Sequence, residues 1–179
     1  MTDPEWPVQE SVREYETGWY DGGYDLVEQP DGTTKRYYWA ELAPAVIVVA
    51  IDDEQVVFVE QYRPTTRVEG LELPAGIVED GEDYLDAARR ELEEETGLVP
   101  ERVELLQIMD VATGVLRHER GIVVATDLTA GTRSLDENEF LSVRRVPRTE
   151  AIAVAREPPA NDATLEGLLL AAQDGYLGE

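Results

Sequence analysis

Leu73–Leu98 reads LPAGIVEDGEDYLDAARRELEEETGL, and its second half carries the marks of one amphipathic helix. Asp83 is placed to cap an N-terminus, with Asp86 adding negative charge in the first turn. Leu85, Ala88 and Leu92 recur at helical spacing, which predicts a single apolar stripe turned to a core. Gly97 follows where a helix end favours a residue that accepts the left-handed conformation. The spacing predicts a helix from Tyr84 to Thr96.

The carboxylates of that helix are unusual. Glu91 and Glu95 lie four apart and stack on one side, with Glu94 further round. Like charges at this spacing weaken a helix by a few tenths of a kcal/mol, roughly the reverse of an opposite pair. A divalent cation reverses that sign. Hard cations such as Mg²⁺ take oxygen ligands and keep several waters, so two or three carboxylates suffice. The competing reading is a solvated acidic face, to which Glu93 is assigned.

The whole pattern decides between them. Gly76, five residues, Glu82, seven residues, Arg90-Glu91-Leu92, one residue, Glu94-Glu95, one residue, Gly97-Leu98 resembles the Nudix box at every specified position. A match of this length arises by chance on the order of 10⁻⁷ or less per starting point, so the solvated-face reading gives way. The resemblance implies an α/β/α sandwich of mixed sheets in which the box forms a loop–helix–loop. It implies a pyrophosphohydrolase using Mg²⁺, with Mn²⁺ the alternative, held by Glu91, Glu94, Glu95 and the backbone carbonyl of Ala75. Gly76, Glu82 and Arg90 would hold the loop and helix together around those ligands.

Outward from the box, Glu60-Gln61-Tyr62-Arg63 and Leu71-Glu72-Leu73-Pro74-Ala75-Gly76 are similar to the ADP-ribose pyrophosphatase branch of that family. The resemblance implies a homodimer in which residues 1–42 form an exchanged antiparallel β segment, with residues 43–179 as the hydrolase domain. It offers Trp19 or Tyr20 to stack on a nucleobase, Arg36 and Arg63 to hold phosphate or base, and Glu137 or Glu139 as the base beside Glu94 and Glu95. The branch commonly has a proline before the glycine in the loop after the box. Here Ala112-Thr113-Gly114 keeps only the glycine, so sugar nucleotides other than ADP-ribose stay open as substrates. A modified nucleoside triphosphate and a non-catalytic nucleotide-binding module are the remaining alternatives. The first fits poorly with the aromatic N-terminal segment, and the second with a complete set of box carboxylates.

Composition frames these readings. The 179 residues include 39 acidic and 15 basic side chains, a formal charge of −24. Such a surface repels nucleic acid and anionic membrane and argues against either as a partner. Spread along the chain, the charge fits a protein of a salt-rich cytoplasm, where concentrated ions screen its self-repulsion. The absence of cysteine removes thiol chemistry and Cys-based zinc sites. No signal peptide or membrane-length apolar run is evident, which points to the cytoplasm.

The remaining segments read as support. Residues 1–10 are expected to be loose, and 12–39 to form short strands with turns at Gly22-Gly23 and Asp31-Gly32. Ala45–Ile51 is a continuous apolar run expected to be buried on both faces, followed by a strand over Gln55–Tyr62. Strands are expected over Val103–Val111, Gly121–Thr126 and Leu141–Val146, with His118 in a loop. Helices are expected over Thr149–Arg156 and, capped by Asp162, over Ala163–Gln173.

Overall fold

The computed structural model describes residues 5–135 and 137–178, so Asp136 of the acidic loop lies outside the described residues. The strands in chain order are β1 (Val8–Glu16), β2 (Tyr20–Glu28), β3 (Thr34–Leu42), β4 (Ala45–Asp52), β5 (Gln55–Arg63), β6 (Val68–Glu72) and β7 (Ala75–Ile77). Helix α1 (Tyr84–Thr96) follows, then β8 (Leu98–Asp110), β9 (Leu116–Arg117), β10 (Glu119–Ala130), β11 (Leu141–Pro147), α2 (Arg148–Ala155) and α3 (Asp162–Gln173). The chain forms two compact units, one of residues up to Pro44 with Met109–Glu119, the other of Ala45–Ile108 with residues from Arg120 onward.

The larger unit is built on a mixed sheet in the order β11-β5-β4-β10-β8. Its centre is β4, whose residues 46–51 are all buried and which runs parallel to β10. A strand covered on both faces needs no polar alternation, which is why this run is uniformly apolar. One face sends Val46, Val48 and Ala50, with Val57, Val123 and Ala125, against Ala87, Ala88 and Leu92 of α1. On the other face Gly167 of α3 lies so close that a Cβ there would sit 2.9 Å from Leu73 and 3.3 Å from Val49. Helix, sheet and helix thus form three layers, as the α/β/α expectation required.

The sheet opens where the box enters it. Strands β4 and β5 pair only between residues 50–52 and 55–57, next to their connecting turn. Beyond that point β6 takes the edge of β5, from Val59 to Arg63, and β7 takes the edge of β4, from Ala45 to Ile47. Leu73-Pro74 bridges the two short strands, with the Val48 N–H donating to the Pro74 carbonyl at 2.8 Å. The splayed strands therefore place Glu72, Ala75 and Gly76 along one opening beneath α1.

The smaller unit is a sheet in the order β1-β2-β3-β9, antiparallel through its first three strands, with β9 parallel to β3. Two expectations fail here. Residues 8–10 belong to β1 rather than to a loose terminus. Gly22-Gly23 is no turn but the middle of β2, at a bulge in the pairing with β1. A Cβ at Gly23 would stand 2.0 Å from the Val12 carbonyl oxygen, so Gly23 serves a close strand approach, while a Cβ at Gly22 would meet the Tyr15 ring at 2.5 Å. The turn itself uses Gly18, at φ 82°. At the chain's other end the cap of α3 is Asn161, not Asp162: its side chain accepts from the Thr164 N–H at 2.9 Å.

Candidate active site

Helix α1 runs from Tyr84 to Thr96 with both ends closed as its sequence demands. The Asp83 carboxylate accepts from the Leu85 and Asp86 N–H groups, both at 2.9 Å. Gly97 stands at φ 72°, and its N–H returns to the Glu93 carbonyl at 2.8 Å. With the frame fixed, Glu91 and Glu95 share the buried side with Leu92, while Glu94 is partly exposed.

Arg90 ties this helix to the loop before it. Its guanidinium grips Glu82 through Nε at 3.0 Å and Nη2 at 2.8 Å, and Nη2 also donates to the Ile77 carbonyl at 2.8 Å. Its Nη1 donates to Glu91 at 2.7 Å and Glu94 at 3.1 Å. The bidentate partner Glu82 holds the guanidinium firmly protonated, and Arg90 in turn keeps the Glu82 carboxyl below its usual range. Glu82 and Arg90, two of the three residues expected to brace the box, are thus joined to each other, and Arg90 also reaches the loop backbone and two of the proposed ligands.

Glu91 fits because residue 76 has no side chain. A Cβ on Gly76 would fall 1.9 Å from the Glu91 carboxyl carbon. Glu95 is 3 % exposed and accepts the Ala75 N–H at 3.1 Å. Burial pushes its carboxyl up to about 8, with Glu91 and Glu139 adding repulsion. Burial raises the Glu91 carboxyl as well, against the opposing pull of Arg90. Two buried carboxylates side by side, with no ion pair to Glu95 among the described residues, are expensive unless a cation joins them.

No three His, Asp or Glu side chains among the described residues are already closed around one point. The donors nevertheless fit a hard divalent ion: Glu91 and Glu95 are buried, adjacent and raised by burial, and a hard ion needs few protein ligands beside its waters. Glu94 reaches the same region from the exposed side, held by Arg90. Ala75 presents its N–H to Glu95.

Of the two loop glutamates, Glu139 is half-buried and close enough to raise both Glu91 and Glu95, whereas Glu137 is exposed. Arg63 lies within electrostatic reach of Glu95 and Glu139. Its Nε and Nη2 are engaged by Glu72, at 3.1 Å and 2.6 Å, a buried partner that sequence reading did not single out. Glu93 is more than a solvated carboxylate: it accepts from the Thr132 N–H at 3.2 Å and fastens the 131–134 loop to the helix. Arg133 was also missed; a lone loop arginine carries no sequence signal for its partners.

The remaining candidates belong to the smaller unit. Trp19 is 77 % exposed, and Tyr20 meets Tyr15 edge-to-face with ring centroids 5.8 Å apart. Arg36 stacks its guanidinium 4.4 Å from the Tyr24 ring. Tyr20 pairs with Leu42, whereas Arg36 pairs with Leu26, at opposite ends of the same hairpin. Six residues of strand separate them, about 20 Å at 3.3 Å per residue, so one chain does not bring these three together.

Comparison with known proteins adds family to geometry. A model described as the NUDIX domain matches residues 41–168. The chain is 36 % identical over 142 residues to a methanol dehydrogenase activator of Bacillus methanolicus, covering 78 % of this chain and 77 % of that protein. It is 31 % identical over 140 residues to an ADP-ribose pyrophosphatase of Bacillus subtilis, covering 76 % of each. A crystal structure of an ADP compounds hydrolase superposes with a TM-score of 0.88 at 23 % identity, over 98 % of this chain and 99 % of that one, and establishes the shared fold.

Proposed function

The chain belongs to the Nudix family, is a Nudix pyrophosphohydrolase, and on that premise we propose that it hydrolyses ADP-ribose to AMP and ribose 5-phosphate. The observation that carries the reading is the buried pair Glu91 and Glu95, held under α1 by Gly76, Ala75 and Arg90. Such a pair is unfavourable in the empty protein and favourable around a cation.

Glu91, Glu94, Glu95 and the Ala75 backbone would hold the metal. A bound divalent ion supplies charge neutralisation for the phosphate oxygens and lowers the pKa of water. The chain's own residues do the rest. Glu139, with Glu137 as the alternative, takes a proton from the attacking water. The water oxygen bonds to one phosphorus in line with the bridging oxygen, which leaves on the other phosphate. Arg63, steadied by Glu72, neutralises phosphate charge, and Arg90 with Glu82 keeps the carboxylates from shifting as charge develops. The base-stacking role belongs to Trp19 or Tyr20, with Arg36 at a separate contact.

Mg²⁺ as the ion, a homodimer with exchanged residues 1–42 and a salt-rich cytoplasm are parts of the same proposal. In support of the last of these, the formal charge is −24, a self-repulsion that concentrated salt screens. A panel of ADP-ribose, ADP-glucose, GDP-mannose, NADH and dinucleoside polyphosphates tests the substrate. Selective release of AMP from ADP-ribose is expected. Preference for another sugar nucleotide would retain the chemistry and move the substrate, and tight binding without turnover would make the protein a sensor.

A further inference from the structure

The C-terminal turn of α1 contains no basic residue, and the carbonyls of Glu94, Glu95 and Gly97 at this end take their donors from a distant loop. The Gly131 N–H donates to the Gly97 carbonyl at 2.8 Å, and the Ser134 N–H to the Glu94 carbonyl at 3.0 Å. Arg133 donates from Nε to the Glu95 carbonyl at 2.7 Å. A positive guanidinium at this end also complements the negative pole of the helix. Gly97 contributes by having no side chain: a Cβ there would stand 3.2 Å from the Arg133 backbone nitrogen.

The same guanidinium reaches further. Nη2 of Arg133 donates to the Leu141 carbonyl at 2.7 Å, the first residue of β11. One rigid fork therefore joins the backbone of Glu95 on α1 to the start of β11, and Glu139 lies in the chain between Arg133 and Leu141. Lysine offers one compact charge and cannot reproduce this planar bridge.

We propose that Arg133 is a positioning residue that fixes Glu139 relative to Glu94 and Glu95. This rests on the pyrophosphatase reading, in which Glu139 accepts the proton. Arg133 touches no reacting atom; it ties the loop between β10 and β11 to the end of α1 on one side and to the start of β11 on the other. Its loss lets Glu139 drift from the attacking water while the carboxylates of α1 keep their metal.

The test is a double-mutant cycle with Arg133→Ala, Glu139→Gln and the combined variant, assayed for kcat and KM on ADP-ribose with Mg²⁺. Arg133→Ala is expected to lower kcat roughly 10- to 100-fold with KM little changed, the range found when a supporting partner of a metal site is lost. The combined variant is expected to be no slower than Glu139→Gln alone, because both changes remove one function. Multiplicative losses, or wild-type kcat in Arg133→Ala, would overturn the proposal. Arg133→Lys serves where the alanine variant does not fold, and the same loss of kcat is expected. Hydrogen exchange over residues 134–141 gives a readout independent of turnover. Faster exchange is expected in either Arg133 variant, and unchanged exchange would overturn the coupling even if the wild type cleaved no substrate in the panel.

Discussion

Replacing Glu95 by glutamine isolates the electrostatic cost of the empty site. The glutamine side chain would keep an oxygen for the Ala75 N–H now at 3.1 Å and remove the charge. The folded carboxyl of Glu95 is raised from 4.5 to about 8, chiefly by burial. A raised carboxyl binds its proton in the folded state over a pH range where the unfolded chain has lost it. Stability contributed by this group therefore falls as pH rises from about 4.5, and the fall is complete above about 8. Below that window both states are protonated and the group contributes nothing. At pH 7 the difference is about 2.5 pH units at 1.36 kcal/mol each, or roughly 3 kcal/mol. For a chain of this size that corresponds to roughly 6–12 °C in Tm. Glu91 is raised in the same direction, first of all by its own burial, and that burial is common to both proteins, whereas its repulsion of Glu95 is part of the difference measured. The assay is a set of melts in EDTA from pH 5 to 9. Glu95→Gln is expected to melt higher than the wild type, with a gap that widens with pH; added Mg²⁺ should stabilise the wild type and leave the variant nearly unmoved. A variant no more stable than the wild type at pH 8 in EDTA would show that the buried Glu95 charge does not destabilise the empty site.

Other substitutions address the supports and the surface. Gly76→Ala drives a methyl group into the Glu91 carboxylate and should weaken the Mg²⁺-induced rise in Tm and the turnover together; unaltered Mg²⁺ titration would remove the steric argument. Arg90→Lys loses the bidentate hold on Glu82 and the bond to the Ile77 carbonyl, and should destabilise by about 2 kcal/mol in urea titrations, judged by the midpoint at constant slope. Removing residues 1–40 should convert a dimer to monomers in light scattering and raise KM, whereas a monomeric wild type would contradict the exchanged assembly. Stability should climb along a KCl series, since 24 net negative charges repel one another; a flat or falling series would exclude salt adaptation.

Much of this architecture could be read from the residues because the signals were local. Asp83 and Gly97 define α1 by chemistry acting within one turn of each end, and the apolar run of β4 records burial on both faces. The proposed ligating pattern is equally local, since Glu91, Glu94 and Glu95 lie on one helix. Signals that depend on a distant partner were illegible. Glu72 is an ordinary strand glutamate until Arg63 folds against it, and Arg133 binds two backbone carbonyls that no side-chain pattern encodes. Gly22-Gly23 misled because glycine serves turns and close strand approach alike, and only the neighbouring Val12 carbonyl distinguishes them. Glu93 was misread because its role comes from a loop nearly forty residues away.

The most direct test of the central claim is AMP release from ADP-ribose at increasing Mg²⁺ in concentrated KCl, with Glu95→Gln measured alongside. No release is expected in EDTA, with saturable activation by Mg²⁺ in the wild type and loss of that activation in the variant while its fold persists. Turnover in EDTA, or a Glu95→Gln enzyme activated as the wild type is, would contradict it.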